Sequence, residues 1–262
     1  MSAYRLLFLA GLLLCLAGIP PQQPTLYIIG DSTVRNGSGV GANSQWGWGS
    51  VIHTHFDTTR LAIENRAIGG RSSRTFLTEG RWDAILQTLK PGDFVLMQFG
   101  HNDGGAINDT TRARGSIRGT GDETEAIDNL LTKKHEIVHS YGWYMRKYIN
   151  DTKAKGATPI VCSLVPRNVW KDGRVERGSA SYGRWAAESA QSAGAYFIDL
   201  NEIIARKYEA GYDEAKLKAD FFPADHTHTN RAGAELNAAA VIEGLRQLPA
   251  CSLNRYVVAQ GK

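Results

Sequence analysis

Five short apolar runs punctuate the chain, at 25–29, 61–67, 93–99, 158–165 and 195–199, and segments of helical periodicity fall between and after them, at 45–56, 81–89, 137–155, 181–193, 201–210 and 231–247. Runs of this length that are apolar at consecutive positions read as strands covered on both faces. Strands alternating with helices call for a parallel sheet with right-handed crossovers. The expected fold class is therefore α/β, a three-layer α/β/α sandwich around a five-stranded parallel sheet. With 262 residues, 42% of them hydrophobic, one core of this kind can be buried. No change of composition marks a second. In the segment after 136, Val138, Tyr141, Met145, Tyr148 and Ile149 recur at helical spacing, so these side chains read as core. Ala234, Ala238, Val241, Ile242 and Leu245 do the same in the last helix.

Polar residues cluster where the apolar runs end. The first run, TLYIIG, breaks at Gly30 and presents Asp31, Ser32 and Thr33. Open α/β sheets take ligands outside the carboxyl ends of their strands, which makes Ser32 a candidate nucleophile, although Gly-Asp-Ser is also an ordinary turn. Gly69 and Gly70 follow the second run, Asn102 follows the third, and FPADHTHTN near the carboxyl terminus carries Asp225 and His228. These are the parts that acyl transfer needs. An imidazole removes the hydroxyl proton, a carboxylate on its other nitrogen fixes the tautomer, and N–H groups of Ser32 and a glycine, with the Asn102 amide, can face an oxyanion. Arg71, Arg74 and Arg167 lie near the same strand ends and are candidate substrate-binding residues, because a guanidinium fork matches a carboxylate. A metal alternative would use Asp225, His226, His228 and His101. It lacks helical ligand spacing and leaves the serine and amide blocks unexplained, so neither metal nor cofactor is expected.

Taken together, GDST, GGRS, GHND and DHTH, in that order, resemble the four blocks of the SGNH (GDSL-like) hydrolases, and in particular the rhamnogalacturonan acetylesterase family. The phrases YGWYMRKYI, GATPIVCSLVPRNVWKDG and FIDLNEIIARKYE extend the resemblance, which runs from about Leu26 to about Leu245. It implies a flavodoxin-like strand order. It also implies Ser32 as nucleophile and first oxyanion donor, Gly70 as second donor, Asn102 as third, His228 as base and Asp225 as its orienter. Gly70 is chosen over Gly69 because it directly precedes Arg71 and Ser72. The activity implied is cofactor-independent removal of O-acetyl groups from an acetylated polysaccharide or oligosaccharide, rhamnogalacturonan first, through an acetyl-enzyme. The runner-up is an acetylxylan esterase, a general short-chain esterase or a lysophospholipase. A non-catalytic carbohydrate-binding protein on the same fold is the reading from another class. The segment from Gly104 to His135 reads as a long cleft-shaping loop; it holds Arg112, Arg114 and Arg118 beside Asp122, Glu123 and Glu125, unlike an apolar lipase lid.

Arg5 precedes an apolar run from Leu6 to Leu16 and then small residues and prolines, the pattern of a secretory signal. The expected division is a signal peptide at 1–17 and a hydrolase domain at 24–250, in a secreted or periplasmic monomer. Without the leader the basic surplus is three, too small and dispersed for nucleic acid, and no membrane partner is expected after its removal. Cys162 and Cys251 stay in the mature chain; an exporting compartment permits a disulfide, and two buried thiols fit as well.

Overall fold

β1 (Thr25–Gly30) is buried at every position, and its side chains divide by parity: Leu26 and Ile28 enter one apolar cluster, Tyr27 and Ile29 the other. This computed structural model describes residues 23–35, 41 and 44–258; the expected leader at 1–17 lies outside them. The strands that follow are β2 (Ala62–Asn65), β3 (Phe94–Gln98), β4 (Thr124–Asp128), β5 (His135–His139), β6 (Thr158–Cys162), β7 (Trp170–Lys171), β8 (Arg174–Val175) and β9 (Tyr196–Ile198). The helices are α1 (Ser73–Thr78), α2 (Arg81–Leu86), α3 (Tyr141–Ala154), α4 (Tyr182–Ala193), α5 (Leu200–Gly211), α6 (Glu214–Phe221) and α7 (Arg231–Arg246).

The central sheet pairs in the order β2-β1-β3-β6-β9, parallel throughout, which is the flavodoxin-like order. One face carries α5, α6 and α7, through Leu200, Ile204, Leu217, Ala238 and Val241. The other carries α1 to α4, through Phe76, Trp82, Tyr148 and Ala186. Helix starts follow from local chemistry. Ser72, Ser140, Asp199, Asp213 and Asn230 each accept a first-turn N–H at the entry to α1, α3, α5, α6 and α7. Because the strand order reverses between β1 and β3, their carboxyl ends diverge and open a crevice there. Ser32 and Asn102 both leave the sheet at that crevice.

Three expectations about local structure are corrected. The helix at 45–56 is instead two 3-10 turns, Trp48–Ser50 and Ile52–His55. Gly47 presses on the turn after β1 so closely that a Cβ would lie 2.2 Å from the Val34 carbonyl carbon and the Arg35 nitrogen, a contact no regular helix face could make. The helix at 137–155 begins only at Tyr141, because His135–His139 pairs antiparallel with β4. The long loop is thus a loop plus a hairpin, in whose two strands Ile127 and Val138 are buried and Glu136 and His139 half-buried. Cys162 and Cys251 are both buried free thiols, and burial raises both above the ordinary thiol pKa.

Replacing Gly47 by Ala forces backbone apart directly beneath Ser32, so the variant should lose about 2 kcal/mol or more of unfolding free energy. Gly211→Ala serves as control, since nothing lies within 4 Å of its Cβ position; denaturant unfolding should place it within about 0.5 kcal/mol of the parent.

Candidate active site

The chain leaves β1 through a turn built on Asp31. Its backbone carbonyl accepts the Val34 and Arg35 N–H groups, and its Oδ1 accepts both the N–H and the hydroxyl of Thr33, each at 2.8 Å. Gly30 has no room for a side chain there, since a Cβ would sit 2.6 Å from the Gln98 carbonyl oxygen. The Thr33 hydroxyl also accepts Gln98 Nε2 at 2.7 Å, while Gln98 Oε1 accepts Trp48 Nε1 at 2.8 Å. A buried chain of hydrogen bonds therefore ties the turn to β3 and leaves the half-buried Ser32 at its tip.

The histidine loop reaches the same point from the carboxyl end. Asp225 Oδ1 accepts the N–H groups of Thr227 and His228 at 2.7 and 2.8 Å, and its Oδ2 lies 2.7 Å from His228 Nδ1. His228 Nε2 is 2.8 Å from Ser32 Oγ. The loop is held by Trp46, whose N–H donates to the Thr229 carbonyl at 2.8 Å, and by Asn168, whose N–H donates to the His226 carbonyl at 2.8 Å. Burial raises the Asp225 carboxyl, but hydrogen bonds from His228 and Thr227 outweigh it and hold the group below the ordinary carboxylate value. It stays ionised while the ring beside it takes up a proton.

Opposite lie the glycines. A Cβ on Gly69 would be 3.7 Å from Ser32 Cβ. Gly70 has φ +77°, a left-handed conformation that suits glycine and turns the backbone into the crevice. Among the described residues, the Ser32 and Gly70 N–H groups meet no backbone acceptor. Asn102 is buried and donates one amide proton to the Arg71 carbonyl at 2.9 Å, which leaves its second proton for a ligand. Ser32, Gly69, Gly70, Asn102 and His228 line a cavity of 660 Å³, with Asp225 behind the histidine, a volume within the range of ligand pockets.

The arginines divide. Arg167 is exposed and lines the cavity. Arg71 lines it too, with its guanidinium turned to Glu79 at 2.9 Å and to the Gly69 carbonyl at 3.0 Å. Arg74 is a correction to the sequence reading: it is wholly buried, holds both carboxylate oxygens of Glu136 and donates to the Ile107 and Gly115 carbonyls. Its job is to pin the hairpin and the long loop to α1. Arg112 and Arg114, read from the sequence only as loop charge, do line the cavity, and Arg114 donates to the Gly70 carbonyl at 3.1 Å. His226 is exposed, and among the described residues no group of three or more His, Cys, Asp or Glu is arranged to hold a metal ion. His101 lines the cavity with both ring nitrogens buried, and burial lowers its pKa to about 4, so it is neutral beside His228. Gln98, Trp48 and Asp103 each act through a partner distant in the chain, a pairing that no local sequence pattern shows.

The sequence profile of the GDSL-like lipase/acylhydrolase family matches residues 28–236. The chain is 35% identical over 223 residues to a rhamnogalacturonan acetylesterase of Emericella nidulans, covering 84% of each. It is 31% identical over 228 residues to a probable rhamnogalacturonan acetylesterase, YesY, of Bacillus subtilis, covering 85% of this chain and 93% of that one. The crystal structure of Bacillus subtilis YxiM superposes with a TM-score of 0.70 at 26% identity; the match covers 87% of this chain and 58% of that longer one.

Two outcomes test the site's supports. Breaking the Arg74–Glu136 pair with Arg74→Ala leaves a largely buried carboxylate with no cation and only the Asn129 amide donating to it, and should cost about 3–5 kcal/mol, read by denaturant unfolding. Burial pushes Asp103 up to about 6 from 3.8, against hydrogen bonds from Ser73 and Ser116. A carboxyl with its pKa raised on folding contributes stability below its unfolded pKa and loses it as pH rises through the folded value. Asp103→Asn cannot ionise, so between about pH 4 and pH 7 its stability relative to the parent should improve by roughly 2 kcal/mol.

Proposed function

The chain belongs to the GDSL-like lipase/acylhydrolase family and is a carboxylic ester hydrolase, and we propose that it removes O-acetyl groups from acetylated rhamnogalacturonan through an acetyl-Ser32 intermediate. The observation that carries this reading is the unbroken hydrogen-bonded line from Asp225 through His228 to Ser32, opening on a cavity that Gly70 and Asn102 also line.

In the first half-reaction Ser32 Oγ attacks the acetyl carbonyl carbon while His228 Nε2 takes the hydroxyl proton. Asp225 holds the ring in the tautomer that keeps Nε2 free and balances the imidazolium. Negative charge gathers on the former carbonyl oxygen, where the Ser32 and Gly70 N–H groups and the Asn102 amide donate to it. As the tetrahedral centre collapses, the imidazolium returns its proton to the departing sugar oxygen. Water repeats the sequence on the acetyl-serine, with His228 again as base, and releases acetate.

The acidic substrate is favoured by cavity charge. Arg112, Arg114 and Arg167 line the cavity, and among the described residues none of their guanidinium groups forms an ion pair with a carboxylate. Relatives bearing the name rhamnogalacturonan acetylesterase point the same way. Export belongs to the proposal: a polymer outside the cell requires it, and Arg5 with the Leu6–Leu16 run is the signal that would direct it.

Acetate release from acetylated rhamnogalacturonan and acetylated xylan tests the reading. The acidic polymer should have a kcat/KM at least about tenfold higher, and the margin should narrow as salt rises toward about 0.5 M. Ser32→Ala should retain its fold and lose about 10⁴-fold in turnover. Equal rates on both polymers would reject the pectic substrate, and residual turnover above about a tenth of the parent would reject the nucleophile.

A further inference from the structure

A cavity of 330 Å³ lies between α1 and the tip of the β4–β5 hairpin, and it shares Thr75, Glu79, Arg112 and Leu131 with the catalytic cavity. A chain held over Ser32 can run from one into the other past those four side chains. Leu131 stands apart among them. Of the described residues that line the catalytic cavity it is the only one with a hydrocarbon side chain, and it is 48% exposed. A single exposed leucine is ordinary on a protein surface. On the wall of an otherwise polar cleft it is the one place where an apolar part of a ligand gains by leaving water.

The turn that carries it is held from inside. Asn129 is buried; its Oδ1 accepts the Leu131 and Thr132 N–H groups at 2.9 and 3.0 Å, and its Nδ2 donates to Glu136 Oε2 at 2.9 Å. The Leu130 N–H donates to Asn108 Oδ1 at 2.8 Å. Because Arg74 holds Glu136 in turn, the backbone of the leucine is tied to α1, and its place at the cleft is set before a ligand arrives. Such preorganisation lowers the entropy lost on binding.

We infer that Leu131 is a specificity-determining contact, packing against the C6 methyl group of a 6-deoxy sugar next to the acetylated uronate. The inference rests on the pectic reading of the catalytic cavity and deepens it, since a rhamnogalacturonan backbone joins galacturonate to rhamnose, whose C6 is a methyl group. Arg112 lines both cavities, so a uronate whose carboxylate meets that guanidinium has its neighbour beside Leu131. The formal charges of the second cavity balance, Glu79 and Glu136 against Arg112 and Lys134, with His135 beside Asp128. That balance suits a neutral sugar better than another uronate. Thr75, Thr78 and Thr132 bring hydroxyls to the same wall for the hydroxyls of the sugar. Burial of one methyl group corresponds to a factor of about four in affinity.

Equilibrium binding tests the contact without turnover. Calorimetry would compare an unacetylated tetramer alternating galacturonate and rhamnose with a synthetic tetramer in which each rhamnose is replaced by its 6-hydroxy counterpart, mannose of the same hand. The parent should bind the deoxy tetramer about three- to tenfold more tightly. Leu131→Asn, of similar size, should bring the two affinities within about twofold of each other, whereas Leu131→Met should keep the preference. Leu130→Asn is the control, because Leu130 is 45% exposed on the same turn and lines neither cavity; it too should keep the preference. A parent that does not distinguish the tetramers, one that binds neither included, overturns the contact. So does a preference that survives in Leu131→Asn, or one that Leu130→Asn removes as well. The two proposals fail separately: acetate release with no Leu131-dependent preference rejects the contact, whereas a Leu131-dependent preference with no acetate release rejects the pectic activity.

Discussion

The hydrogen-bond chain from Trp48 through Gln98 and Thr33 to Asp31 sets the turn on which Ser32 stands. It is buried, so each link is made where water cannot replace it, and loss of one partner leaves another unsatisfied. The links come from different parts of the chain: the 3-10 turn at Trp48, the end of β3 and the turn after β1. Positioning of the serine thus depends on the sheet and the 48–50 segment together. The glycine approaches follow from the same constraint. Gly30 and Gly47 bring backbone against backbone at Gln98 and Val34, and the turn cannot move outward without opening both contacts.

The parts legible in the sequence were those whose information is local. A strand covered on both faces announces itself as a continuous apolar run, and β1, β3 and β6 were readable for that reason. Ser32, Gly70, Asn102, Asp225 and His228 sit within short blocks at strand ends or next to a helix cap, so their shared location followed once the sheet was inferred to be parallel. What escaped was set by partners far along the chain. Arg74 stands three residues after Arg71, yet its guanidinium belongs to Glu136, 62 residues on. The β4–β5 hairpin shows almost no apolar pattern, because only Ile127 and Val138 are buried in it. At 45–56 a helix was expected, whereas Gly47 and Gly49 serve close packing against Val34.

Beneath the serine lies an unusual concentration of buried polar groups. Asp31 and Asp103 are fully buried, Asp31 Oδ2 has no partner among the described residues, and both ring nitrogens of His101 are buried. Such arrangements cost stability and persist where the surrounding structure fixes them. Asp103 has three donors, the Ser73 N–H, the Ser73 hydroxyl and the Ser116 hydroxyl. It thereby joins the start of α1 to the long loop directly behind Asn102. His101 contributes by staying uncharged: with its pKa lowered to about 4, it adds no positive charge next to His228, where a fixed cation would oppose formation of the imidazolium.

Charge on this protein is informative only after its pairing is known. The net surplus of basic residues is small, and several guanidinium groups near the open edge of the sheet are already committed. Arg74 is neutralised by Glu136, Arg177 by Glu202 and Glu209, and Arg71 by a Glu79 that also serves Arg81. Arg112, Arg114 and Arg167 lack such partners among the described residues, and these three line the catalytic cavity. Two come from the long loop and one from the segment after β6, so the pattern depends on that loop being held in place. Arg74 holds it, by donating to Ile107 and Gly115. The buried arginine therefore acts on the cavity's charge indirectly: by committing its own charge to Glu136 and to loop carbonyls, it sets where Arg112 and Arg114 present theirs.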